Sequence, residues 1–143
     1  MLTPNKNAPA LTSQELRVDA PPERVFALLA DIEQWPRWQP SVTEATIRGQ
    51  DALSAGATFV WKSGTRITST VELFDSPRAI GWRGRAIGTR AIHVWHLDPD
   101  GTGTLVRTEE SMEGPLPRLM PRMVRKMLEN GVRETLDALA EEA

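Results

Sequence analysis

The sequence predicts a single α+β domain, with a run of strands closed by a long helix that packs on one face of an antiparallel sheet. Three observations carry this expectation. From Thr43 to Met112 the chain divides into strand-like stretches separated by turn clusters. From about Arg118 to Ala140, Leu119, Met120, Met123, Val124, Met127, Leu128, Val132, Leu136 and Leu139 form a sustained i, i+3, i+4 stripe. The length of 143 residues, with 40% hydrophobic and 25% charged residues, suits one domain with a real core.

The elements follow in order. Residues 1–12 are polar and rich in Pro and Asn, and are expected to be a poorly ordered extension before a domain at 13–143. A short strand ends at Pro21-Pro22, and Pro22 suits the first turn of a helix, where its missing N–H is not needed. That helix carries Val25, Phe26, Leu28 and Leu29 on its apolar side. Asp31 is placed to cap a further helical turn, and Trp35 and Trp38 are large apolar bodies whose N–H groups need partners, which suits a pinned corner.

Strands are predicted at Thr43–Arg48, Ala57–Lys62, Thr65–Phe74, Ala79–Arg85, Thr89–Leu97 and Thr104–Met112. Ser63-Gly64, Asp75-Ser76-Pro77 and Asp98-Pro99-Asp100-Gly101 are the turns, and Gly114-Pro115 ends the sheet. Alternation places Phe59 and Trp61 on one face, with Ile67, Ser69, Val71 and Leu73, and with Ile80, Trp82 and Gly84. Those sets are the more apolar and are expected to face the helix. In the last strand Val106, Thr108, Glu110 and Met112 are expected inward, because Leu105, Arg107, Glu109 and Ser111 look solvated. The preceding strand is mixed on both sides.

Several function classes lose support. A net charge of −2 gives no electrostatic case for nucleic acid. No apolar run is long enough for a membrane span. The start of the chain, MLTPNKNAPALTSQ, has no apolar signal core, so a cytoplasmic location is expected. Without cysteine there is no disulfide, thiolate metal site or cysteine nucleophile. His93 and His96 fall on opposite faces of a strand, so no metal site is expected. Asp98-x-Asp100-Gly101 lacks the later ligands of a calcium loop, and Gly81, Gly84 and Gly88 lack the spacing of a dinucleotide fingerprint. No cofactor is expected.

The run VDAPPERVFALLADIEQWPRWQPSV, Val18 to Val42, resembles the opening of the START-like (SRPBCC), helix-grip proteins, the polyketide cyclase/dehydrase and lipid-transport family. IHVWHLDP and VRTEESMEG resemble the family's H-x-aromatic-x-L and V-x-x-x-E-x-aromatic-x-G strands, with Met112 where an aromatic is usual. The resemblance covers Leu16 to the C-terminus. It implies a START/Bet v 1-like fold, a curved sheet wrapped around the last helix, and a ligand cavity between them. It also turns His93, Trp95 and Glu110 inward.

The expected cavity lining is therefore Phe59, Trp61, Val71, Trp82, His93, Trp95, Thr108, Glu110 and Met112, under a roof of Met120, Met123 and Met127. A carboxylate, an imidazole and three indoles suit a ligand-filled or wet cavity better than a solid core, since an unpaired buried carboxylate must find a partner or take up a proton. Methionine adapts to irregular shapes and suits a roof over a variable ligand. Each reading has a plainer counterpart. His93 and Glu110 are either an acid/base pair or a hydrogen bond between strands, and the tryptophans and methionines either line a cavity or fill a core. Arg118, Arg122, Arg125 and Lys126 open the last helix while Glu134, Asp137, Glu141 and Glu142 close it, against the helix dipole. They form either an anion-attracting rim or a solvated face. Gly131 is expected to face the sheet or cavity. The leading functional expectation is a carrier of a hydrophobic, aromatic or polycyclic, small molecule or of a lipid, with a cyclase or dehydratase, a protein-interaction module and self-association into a homodimer left open.

Overall fold

The computed structural model describes residues 2–49 and 52–143. A single antiparallel sheet of seven strands forms the body, in the order β1-β7-β6-β5-β4-β3-β2. The strands are β1 (Ala10–Val18), β2 (Glu44–Arg48), β3 (Thr58–Ser63), β4 (Thr65–Asp75), β5 (Ala79–Ala86), β6 (Thr89–Asp100) and β7 (Gly103–Glu113). Between β1 and β2 lie α1 (Pro22–Ala30), a 3-10 turn (Ile32–Gln34) and α2 (Trp35–Trp38); α3 (Pro115–Leu119) and α4 (Pro121–Glu142) follow the sheet. This is the helix-grip arrangement, a curved sheet with short helices at one end and a long C-terminal helix on its concave side.

Four differences from the expected elements have local causes. The first strand starts at Ala10, inside the stretch expected to be loose, and pairs with β7 along its whole length. The residues before it are anchored too. Leu2 is buried against Ile92, Val94 and Leu73 on the convex face, Asn5 N–H donates to Ser111 Oγ, Lys6 pairs with Glu109, and Arg125 donates to the Pro9 carbonyl. Polar composition misled here because these residues bond to the sheet and not to water.

The second difference is a bulge between Val71 and Leu73. One extra residue inverts alternation beyond it. Leu73, expected inward, packs on the convex cluster, and Phe74 takes the core position, its ring 5.3 Å from Phe26 in an edge contact.

Third, Asp98, Pro99 and Asp100 are strand residues and not loop. β6 and β7 run to Asp100 and Gly103, leaving a two-residue turn in which Gly101 takes φ +63°.

Fourth, Gly114-Pro115 opens a separate short helix, so α4 starts at Pro121. Asp31 makes no side-chain cap bond at the 3-10 turn.

The core has a helical half and a sheet half. α1 buries Val25, Phe26, Leu28 and Leu29. α4 buries Val124, Leu128, Val132, Leu136 and Leu139, a stripe spaced by fours and a three, and packs chiefly on β1. Its acidic end is tied down. Arg37 pairs with Glu142 at 3.4 Å, and Arg24 donates to the Glu142 carbonyl, one of the acceptors a helix C-terminus leaves free. Gly131, expected to face the sheet, is exposed, and a Cβ there would meet nothing within 4 Å. No clash protects this glycine, so Gly131→Ala should stabilise the fold by about 1 kcal/mol. Urea denaturation checks it, and a loss of stability would contradict the placement.

Candidate functional site

The concave face of the sheet gathers nine of the twelve predicted lining residues. Register explains how. Phe59 lies opposite Ser69 and Trp61 opposite Ile67; Val71 opposes Trp82; Trp82 opposes His93; His93 opposes Glu110, Trp95 opposes Thr108, and Ala91 opposes Met112. Phe59, Val71, Trp82, His93, Trp95 and Thr108 are buried, and Trp61, Glu110 and Met112 are half-buried.

The remaining three do not join them. Met120, Met123 and Met127 are 47%, 41% and 64% exposed. The expected methionine roof is corrected by the rotation of α4, whose buried stripe runs through Val124 and Leu128 and leaves the methionines on its flank. The cover over the sheet comes instead from the helical corner. The Trp35 ring centre lies 5.5 Å from Phe59, 5.4 Å from Trp61 and 5.5 Å from Trp82, and its indole N–H donates to the Leu29 carbonyl at 3.2 Å. The sequence marked Trp35 as a pin, but its target was not readable without the sheet's register.

The aromatic cluster continues along the sheet. Trp82 is 5.6 Å from Phe59 and 5.4 Å from the His93 ring, which is 5.0 Å from Trp95. The imidazole is thus flanked by two indoles. Trp61 Nε1 donates to the buried Ser69 hydroxyl at 3.1 Å. Gly84 leaves room for that pair, since a Cβ there would stand 2.8 Å from Ser69 Oγ. Strand alternation turns Ser69 inward, but nothing in the sequence marks it as the acceptor for Trp61.

Within this apolar wall sits one polar chain. His93 Nδ1 is 3.3 Å from Glu110 Oε1, with side chains 11% and 14% exposed. His93 Nε2 is 2.8 Å from Thr108 Oγ1, and the Thr108 hydroxyl donates to the Val94 carbonyl at 3.1 Å. The hydroxyl has one proton and spends it on Val94, so its oxygen accepts from Nε2–H. That assigns the tautomer and leaves Nδ1 as an acceptor. Burial pushes the Glu110 carboxyl up to about 8 and the His93 imidazolium down to about 3. Both shifts favour the uncharged pair, with the Glu110 O–H donating to Nδ1. One Glu110 oxygen then remains as a neutral acceptor. Nearby, the buried Trp95 N–H has no acceptor among the described residues.

Elsewhere, a surface groove of about 410 Å³ runs between Pro40 and the solvated side of α4, lined by Arg133, Glu134, Asp137 and Glu141. It lies away from the aromatic cluster. Among the described residues no group of three or more His, Cys, Asp or Glu side chains is placed to hold a metal.

Residues 10–143 match the family described as polyketide cyclase / dehydrase and lipid transport. The chain belongs to that family. Solved structures agree on the fold. A hypothetical protein of Helicobacter pylori is 22% identical, with a TM-score of 0.85 over 96% of this chain and 89% of that one. A START superfamily protein of Mycobacterium smegmatis is 18% identical, with a TM-score of 0.80 over 92% and 95%. The Zhui aromatase/cyclase of Streptomyces sp. R1128 is 16% identical, with a TM-score of 0.79 over 92% of both chains. Identities this low speak for the family's fold alone. No curated protein matches the chain.

Proposed function

We propose that this member of the polyketide cyclase/dehydrase and lipid transport family binds a flat, largely apolar small molecule bearing one or more oxygens on the concave face of its sheet. One observation carries the reading: the uncharged His93–Glu110 pair set into an otherwise aromatic wall, with a small part of each side chain still open to solvent. An apolar wall with a few convergent polar groups is the usual make-up of a small-molecule site. The groups offered are complementary to a hydroxylated ring system. The free Glu110 oxygen accepts a ligand O–H, and the Trp95 N–H, which lacks a protein acceptor among the described residues, donates to a ligand oxygen. Met112, half-buried two residues from Glu110 on β7, supplies apolar contact beside the pair, and Trp61, half-buried three strands from His93 on the same face, extends the aromatic wall. Phe59 and Trp82 are packed under Trp35 and, with the buried Val71, shape the floor.

Tryptophan fluorescence titrated with polycyclic phenols and fatty acids tests this. Phenols are expected to quench or shift the emission. Glu110→Gln keeps both a donor for Nδ1 and an acceptor oxygen, so its affinity should stay within about threefold of the parent, whereas Glu110→Leu should lose about tenfold through one lost hydrogen bond. Equal binding by the leucine variant would remove Glu110 from the site.

A second reading, a cyclase or dehydratase, rests on the same carboxyl. A carboxylic acid that keeps its proton at neutral pH is a general acid, able to protonate a departing hydroxyl. His93 is a poor base here, because Nε2–H is engaged with Thr108 and Nδ1 with Glu110; its part is to orient Glu110. The two readings separate on Glu110→Gln. A carrier retains its function, and an enzyme loses nearly all turnover while binding survives.

A further inference from the structure

An apolar, basic surface lies outside the site. It is built from three neighbouring pieces: the β5–β6 hairpin tip, α3 and the first turns of α4. The Leu116 N–H donates to the Gly88 carbonyl at 3.0 Å and joins tip to helix. On it Ile87 is 85% and Leu119 81% exposed, and Leu116, Met120, Met123 and Met127 are exposed as well. Large apolar side chains contiguous on a surface mark an interaction site. None of them is needed by the core, which α4 contacts through Val124 and Leu128.

Most charges around this patch are cationic, although Glu113 lies opposite Arg90 at its hairpin edge. Between Gly114 and Leu128 the chain carries Arg118, Arg122, Arg125 and Lys126 and no carboxylate. Arg125 bonds to the Pro9 carbonyl. Arg118, Arg122 and Lys126 have no carboxylate partner among the described residues. Arg85 and Arg90 face each other across the hairpin beside Ile87. Along α4 the charges are segregated, with Arg122, Arg125 and Lys126 in its first turns and Glu134, Asp137, Glu141 and Glu142 toward its other end. Cations in the first turns of a helix oppose its dipole, so helix stability does not account for them.

We propose that this surface docks the protein on an anionic lipid membrane. Three features favour that occupant. Residues 81–85% exposed protrude, and a protruding apolar side chain enters a lipid interface without needing a shaped recess, as a protein partner would have to provide. A rim of cations around an apolar centre is the pattern of interfacial binding to anionic lipid. A second copy of this chain is disfavoured, because a two-fold contact through this patch would oppose Arg118, Arg122 and Lys126 with their own copies. Among the described residues no helix is long and apolar enough to cross a membrane, and the proposed association is peripheral. The inference stands whether or not the concave face binds a ligand.

The full chain, sedimented with vesicles of equimolar phosphatidylglycerol and phosphatidylcholine, should bind at low salt and dissociate at high salt, and should bind poorly to phosphatidylcholine alone. Arg118→Gln, Arg122→Gln and Lys126→Gln together should weaken binding about a hundredfold. Leu119→Ser with Met123→Ser should weaken it about tenfold. All five positions are exposed, and circular dichroism confirms that the variants fold. Because the chain has no cysteine, Leu119→Cys gives a unique site for a polarity-sensitive dye, whose emission should shift to the blue with the anionic vesicles. No binding to these vesicles at low salt overturns the proposal. A dye shift with soluble polyglutamate but not with vesicles assigns the patch to an acidic protein partner, and a dye shift that grows with protein concentration alone assigns it to a second copy. Either overturns it.

Discussion

The contribution of the His93–Glu110 pair to folding stability should be flat between pH 4.5 and 6.5 and should then fall, by about 2 kcal/mol, as the pH rises to 8. The sign follows from counting protons on His93 and Glu110. Unfolded, the glutamic acid loses its proton near 4.5 and the histidine near 6.5; folded, burial moves these to about 8 and about 3. Between 4.5 and 6.5 each state holds one proton on the pair, on histidine when unfolded and on Glu110 when folded, so nothing changes. From 6.5 to 8 only the folded state holds it, and stability falls by about 1.4 kcal/mol per pH unit. Below 4.5 the unfolded state holds two protons against one, and stability falls again as the pH drops toward 3. Glu110→Gln cannot ionise, so the loss above pH 6.5 should vanish in that variant. Urea denaturation across pH reads both. A parent protein equally stable at pH 6.5 and 8 would show that Glu110 is ionised in the folded state, and the neutral-pair account would be wrong.

The largest single-site effect is expected at Trp35. It is almost fully buried and touches Phe59, Trp61 and Trp82 at 5.4–5.5 Å, so it links the helical corner to three strands. Trp35→Ala removes the indole and leaves a void that its aromatic neighbours fill poorly, which should cost about 3–5 kcal/mol and lower Tm by roughly 10 °C. Trp35→Phe keeps most of the volume and loses the bond to the Leu29 carbonyl, so it should cost about 1–2 kcal/mol. Thermal and urea unfolding of both variants check the order. A cost below 1 kcal/mol for the alanine variant would mean that Trp35 is not the keystone of the cover.

The contrast between Trp35 and the methionines shows where the sequence was legible. Strand parity placed Phe59, Trp61, Val71, Trp82, Thr108, Glu110 and Met112 on one face, because a two-residue period leaves little freedom once one face is apolar. His93 and Trp95 sat on a strand mixed on both sides, and only the resemblance to the helix-grip proteins oriented them. Parity failed at Leu73, where a bulge adds a residue without any glycine or proline to announce it. The helix stripe was legible as a stripe, but nine apolar residues span more of the circumference than one contact can bury. Nothing in the sequence said that Val124, Leu128 and Val132 would win over Met120, Met123 and Met127. Gly131 was misplaced for the same reason. The polar chain from Glu110 through His93 and Thr108 to the Val94 carbonyl depends on register between β6 and β7, and a one-residue slip would have dissolved it.

The central claim, that a ligand oxygen meets the Glu110 and Trp95 groups on the concave face, is tested most directly by the indole region of a proton–nitrogen correlation spectrum. The chain has five tryptophans, and Trp→Phe variants assign their side-chain N–H signals. On titration with the polycyclic phenol that most strongly alters the protein's fluorescence, the Trp95 signal should move downfield as its N–H gains an acceptor, and the Trp61 signal should shift beside it. The Trp38 signal, from the helical corner, should stay in place. Saturating ligand that leaves Trp95 and Trp61 unmoved would contradict the account.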